Sequence, residues 1–129
     1  VGYAVSHPEV AEVLNRIRPA FNVSSLALTG ARVALAEQTY MESCVSRCLS
    51  ERERLRTALI GLGLKVIPSA GNFLLVHFGS RAGQLFQQLL QAGFIVRPVA
   101  GYGLPEYLRI TVGAVEHQDG LLKALRTLL

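Results

Sequence analysis

Two arginines stand at the ends of one loop in the second half of this 129-residue chain. Arg97 comes just before Pro98, and Arg109 lies inside the run Leu108-Arg109-Ile110-Thr111-Val112. A guanidinium is permanently charged and grips a carboxylate or phosphate through two parallel N–H donors. Between them, in Gly101-Tyr102-Gly103-Leu104-Pro105, two glycines let the backbone come close to a ligand. The arrangement suits a small molecule with anionic groups at both ends. Each arginine also has a structural reading, as the partner of a local carboxylate or as a residue of a sheet edge, where a position before proline often falls. Tyr102 and Tyr107 flank the loop and read as packing residues.

Other side chains with reactive potential are less well placed. Cys44 and Cys48 are four apart, so they are neighbours on a helix, but two thiols without a nearby His or acid do not make a zinc site. They read as small apolar members of a buried stripe with Met41, Val45, Leu49, Leu55, Leu59 and Leu62, and free thiols suit a reducing compartment. His7, His77 and His117 are scattered, none with a partner at useful spacing, and read as capping, strand or surface residues.

The elements that must hold these residues follow from periodicity and punctuation. Leu108, Ile110 and Val112 alternate with Arg109 and Thr111, so the aliphatics share one face of a strand and Arg109 projects from the other. Lys65 to Ile67, Phe73 to Phe78 and Ile95 to Arg97 read as further strands; Pro68, Ser69, Gly71 and Asn72 separate the first two. Ser6-His7-Pro8-Glu9 reads as a capping box for a helix carrying Val10, Val13, Leu14 and Ile17 and stopped by Pro19. Ser24 or Ser25 caps a second helix running to about Glu37. Thr39-Tyr40-Met41-Glu42 reads as another capping box, opening a long helix that ends at Gly61 or Gly63. On it Arg47, Arg52, Arg54 and Arg56 mingle with Glu42, Glu51 and Glu53 as a solvated, paired face. Further helices span about Arg81 to Ala92, stopped by Gly93, and about Val115 to Leu128. Helices first, then strands interrupted and closed by helices, predict an α+β domain: a small mixed or antiparallel sheet covered on one side by helices.

Composition narrows the function classes. Hydrophobic residues make up 50% and charged residues 17%, which excludes disorder and hints that some apolar surface meets something outside the chain. The net charge of +4 is dispersed, with no basic stripe interleaved with aromatics and no Trp, so nucleic acid is not an expected partner. No apolar run reaches membrane-spanning length and no leader opens the sequence, so the expectation is no membrane and a soluble, cytoplasmic protein. Val1-Gly2-Tyr3-Ala4-Val5 looks like the interior or end of a strand, which suggests a piece of something longer.

The stretches Pro68-Ser69-Ala70-Gly71-Asn72-Phe73-Leu74-Leu75-Val76, Gly93-Phe94-Ile95-Val96-Arg97, Gly101-Tyr102-Gly103-Leu104-Pro105 and Leu108-Arg109-Ile110-Thr111-Val112-Gly113 are similar, in order and spacing, to the C-terminal part of histidinol-phosphate aminotransferases. Those are pyridoxal-phosphate enzymes of the aspartate-aminotransferase fold. Val1-Gly2-Tyr3 also resembles the family stretch that follows the Schiff-base lysine and a phosphate-binding arginine. The resemblance implies residues 1–38 as a connecting segment and helices from the large domain, and 39–129 as the small C-terminal domain. It implies Arg109 as the clamp on the substrate's α-carboxylate and Arg97 as a holder of the phosphate end. Asn72 matches the Asn of the family's Asn-Phe pair, with a ligand role and a turn role both open. Ala114 departs from the helix-capping Thr or Ser frequent in relatives.

The implied activity of the parent protein is amino-group transfer from L-histidinol phosphate to 2-oxoglutarate, giving imidazole-acetol phosphate and L-glutamate in histidine biosynthesis. Its cofactor is pyridoxal 5'-phosphate, and its expected partners are a small anionic amino-acid substrate and a second subunit, as a homodimer. The two lysines, Lys65 and Lys123, sit in no stretch resembling the cofactor-lysine motif, so the chain alone is expected to hold recognition arginines without the chemistry. Rival readings on the same scaffold are an aromatic aminotransferase or a threonine-phosphate decarboxylase. A reading of another class is a stand-alone small-molecule-binding regulatory domain.

Overall fold

The computed structural model describes all 129 residues, and they pack as two units, Val1–Ser43 and Cys44–Leu129. The first unit is helical: α1 (Pro8–Ile17), α2 (Ser25–Ala36) and the opening of α3 (Gln38–Gly61). Pro8 stands in the first turn of α1, where a missing N–H costs nothing. His7 is the cap, its ring nitrogen accepting from the Glu9 amide at 3.4 Å; the expected capping Ser6 instead reaches the His7 carbonyl. Ser24 caps α2 by accepting from the Ala27 amide at 3.2 Å. α3 starts one residue before the expected box, because the Met41 amide already donates to the Glu37 carbonyl, which leaves Thr39 inside the helix. Val1–Val5, read above as strand-like, forms no strand.

The second unit holds the sheet. β1 (Lys65–Ile67), β2 (Phe73–His77), β3 (Arg97–Pro98) and β4 (Tyr107–Thr111) lie in the order β1-β2-β4-β3, every pair antiparallel. Between the strands run α4 (Ala82–Gln91) and, after them, α5 (Val115–Leu128). Period-two alternation sends Val66, Leu74, Val76, Leu108 and Ile110 to one face. There they join Leu55 and Leu59 of α3, Leu85 and Leu89 of α4, and Leu121, Leu122 and Leu125 of α5 in one core. Each fully buried leucine contributes about 1.5–3 kcal/mol. This is the predicted α+β layer, with a wholly antiparallel sheet.

Two glycines show what the packing demands. Gly93 ends α4 at φ 85°, a left-handed turn that returns the Phe94 amide to the Leu89 carbonyl at 2.8 Å. Gly120 stands mid-helix in α5, where glycine costs about 1 kcal/mol relative to alanine. The ring of Phe94 explains it, lying 3.0 Å from where a Cβ at position 120 would be.

The stripe expected along α3 is buried only in its second half. Leu55 and Leu59 are enclosed, whereas Met41, Val45 and Leu49 are exposed, Cys44 is exposed and Cys48 half-buried. Sheet and helices meet α3 only where the chain returns to it. Val112 is likewise half-buried, because β4 ends at Thr111. No helix is long and apolar enough to cross a membrane.

Candidate anion-binding face

The face of the sheet opposite the core carries the arginines. β3 pairs with β4 so that Arg97 is the direct cross-strand partner of Arg109. Directly opposed residues point to the same side, and like charges so placed are destabilising. On β2 the partner of Arg109 is Leu75, and beyond it on β1 stands Ile67, so one row across the sheet reads Ile67, Leu75, Arg109, Arg97.

Neither arginine forms an ion pair, although three others in the chain, Arg16, Arg54 and Arg56, do. Arg97 is exposed. Arg109 is half-buried, and its Nε is buried with no hydrogen-bond partner. Its guanidinium carbon lies 5.1 Å over the ring of Phe73. Set against each other without a carboxylate, the two cations keep guanidinium donors that no acid of this chain engages.

The loop between the arginines folds as a short 3-10 turn, Ala100–Tyr102, closed by Gly103 at φ 76°, a left-handed position that suits glycine. Gly101 lies within that turn. Tyr102 is 71% exposed, so the packing expected of it is not made; the turn carries its ring to the rim. Tyr107 does pack, its ring 4.9 Å from that of His77, and His77 Nε2 meets Glu106 Oε2 at 3.0 Å.

Asn72 precedes β2 and is exposed; its carbonyl accepts from the Val112 amide at 2.8 Å, and its side chain makes no hydrogen bond. The turn before it is held from two sides. Ser69 Oγ accepts from the Gly71 amide at 3.1 Å, and Arg52 Nη1 of α3 donates to the Gly71 carbonyl at 2.9 Å. Arg52 therefore leaves the solvated face assigned to it above. Arg54 does so too, pairing with Glu51 at 2.8 Å and with Asp119 of α5 at 2.6 Å. Asp119, and after it Glu51, raise the Arg54 guanidinium further above its ordinary value. Sequence pattern missed these reaches because they join residues 19 and 65 positions apart. It also missed Gln118, buried on α5 with Nε2 donating to the Gly113 carbonyl at 2.8 Å.

The lysines do not make a cofactor site. Lys123 is exposed on α5, and Lys65 is exposed on β1 at the sheet edge. Lys65 shares a row with His77 and Tyr107, where the neighbouring acid, Glu106, is already engaged by His77. No residue present fits pyridoxal phosphate as a Schiff-base partner.

Comparison with known proteins gives a consistent result. The family described as aminotransferase class I and II matches residues 1–128. Histidinol-phosphate aminotransferase 2 of Pseudomonas fluorescens strain Pf0-1 is 48% identical over the whole chain, and the protein of the same name from Pseudomonas aeruginosa is 46% identical. The chain spans about a third of the length of these curated relatives (35% of each). The crystal structure of histidinol-phosphate aminotransferase from Sinorhizobium meliloti in complex with pyridoxal-5'-phosphate superposes with a TM-score of 0.80 at 27% identity, covering 95% of this chain and 35% of that one.

Proposed function

The chain belongs to the aminotransferase class I and II family, and on that premise we propose that the protein moves the amino group of L-histidinol phosphate to 2-oxoglutarate in histidine biosynthesis. The observation that carries the reading is the pair Arg97 and Arg109, opposed across two strands and left without a counter-ion. The histidinol-phosphate aminotransferases that are 46–48% identical to this chain support the substrate. In this reading Arg97 holds the phosphate of L-histidinol phosphate, which carries no carboxylate, Arg109 clamps the α-carboxylate of 2-oxoglutarate, and Asn72 offers its side-chain amide at the rim. 2-Oxoglutarate, with a carboxylate at either end, meets the same two cations in the second half of the reaction. The protein acts in the cytoplasm as a homodimer, which light scattering of the full-length protein would test.

Pyridoxal phosphate is the cofactor in this proposal and, when bound, serves as the electron sink. This chain's own residues contribute binding and orientation: two fixed cations hold the phosphate of one substrate and the carboxylates of the other in place. The experiment is a comparison of substrates in the full-length protein. Arg97→Gln should lower kcat/KM for L-histidinol phosphate by about 100-fold, and that for an unphosphorylated aromatic amino acid by less than about threefold. Equal losses for both would favour an aromatic aminotransferase instead.

A further inference from the structure

We propose that Phe73 is a positioning residue for Arg109, an inference that rests on the reading of Arg109 as an anion clamp. Arginines that must point one way are commonly fixed by a carboxylate, but a carboxylate would also neutralise the charge the substrate needs. Here no acid is paired with Arg109, and its Nε is buried without a partner. What the guanidinium does meet is the face of an aromatic ring, 5.1 Å from its carbon to the ring centre. A ring face attracts the cation without taking up its N–H donors, so the two Nη groups stay available to an incoming anion.

The register makes this contact a diagonal one. Phe73 pairs with Thr111 and Leu75 with Arg109, so the ring reaches two residues along the strand, to the next pair on the same face, to cover the guanidinium. Phe73 is 38% exposed, too open to be explained by burial in a core. Its neighbourhood is built to leave it there. A Cβ at Gly71 would meet the ring's Cε1 at 3.3 Å and Cδ1 at 3.6 Å, so glycine at that position clears the space the ring occupies. The Gly71 turn is itself tethered by Arg52 of α3 and by Ser69. The long helix thus holds the turn, the turn admits the ring, and the ring orients the cation.

The test uses the full-length protein and glutarate, an unreactive five-carbon dicarboxylate, as the probe in titration calorimetry. Phe73→Leu should weaken glutarate binding about threefold to tenfold and raise KM for 2-oxoglutarate by the same factor, with kcat within twofold. Phe73→Tyr, which keeps a ring face, should stay within twofold of the wild type. Unchanged binding in Phe73→Leu, or a loss as large in Phe73→Tyr, would overturn the inference. Should Phe73→Leu fail to fold, Gly71→Ala carries the test: displacement of the ring should weaken glutarate at least twofold, and no change would refute the role. A protein that binds glutarate through Phe73 yet transfers no amino group from histidinol phosphate would overturn the proposed function alone. One that transfers it but is indifferent to Phe73→Leu would overturn the positioning role alone.

Discussion

In α1 the apolar residues Val10, Val13, Leu14 and Ile17 recur at helical spacing and are 49–73% exposed. In α4 Leu85 and Leu89 follow the same rule of spacing and are at most 3% exposed. The first unit, Val1–Ser43, encloses no hydrophobic side chain, whereas the second closes a core of strands and helices. Both regions contain capped, amphipathic helices, so local sequence is not what separates them. The difference is that the second unit supplies a sheet whose inner face meets the helical stripes. Periodicity names the face that is to be covered; only topology supplies the cover.

The largest expected effect would break the comparison if it failed. Leu74→Ala, in the middle of β2, should lower the unfolding free energy of the Cys44–Leu129 unit by about 2–5 kcal/mol in urea denaturation, while Val13→Ala in α1 should shift it by no more than about 0.5 kcal/mol. Similar losses from both would mean that α1 is packed as tightly as the sheet. A smaller effect sharpens the role of helix ends in the second unit. Ala114 has the extended backbone of an N-cap but no side chain to accept an amide, so Ala114→Ser should add about 1 kcal/mol in the same measurement.

The smallest effect concerns surface charge. Arg56 bonds Glu53 at 2.6 Å and holds its carboxyl below the ordinary value. A lowered carboxyl adds stability above its unfolded pKa, and that contribution is lost as pH falls through the folded one. Glu53→Gln should therefore flatten the acid side of a melting-temperature profile slightly and leave neutral pH nearly unchanged.

Legibility in the sequence followed the range of the interaction. The alternation Leu108, Arg109, Ile110 told which way each side chain points, because the pleat is local, and the strand places two leucine-type residues inside and the arginine outside. Ser24, Gly93 and Pro8 marked helix ends for the same reason. That Arg97 faces Arg109 could be suspected from the loop joining them, but the register that makes them direct partners is fixed by strand pairing. The covering of Arg109 by Phe73, and the hold of Arg52 on Gly71, were not legible at all, since each depends on where a distant backbone comes to lie. The α3 stripe failed in the opposite sense: its spacing was right, yet Val45 and Leu49 find no neighbour in the fold to cover them.

The Phe94 ring pressed against Gly120 ties the fate of two positions separated by two strands and the loop between them. A methyl group introduced at 120 is harmful while 94 remains aromatic and acceptable once 94 is small, so a drift experiment started from this gene should lose the pair together or keep it together, and revertants of Gly120→Ala should map to codon 94.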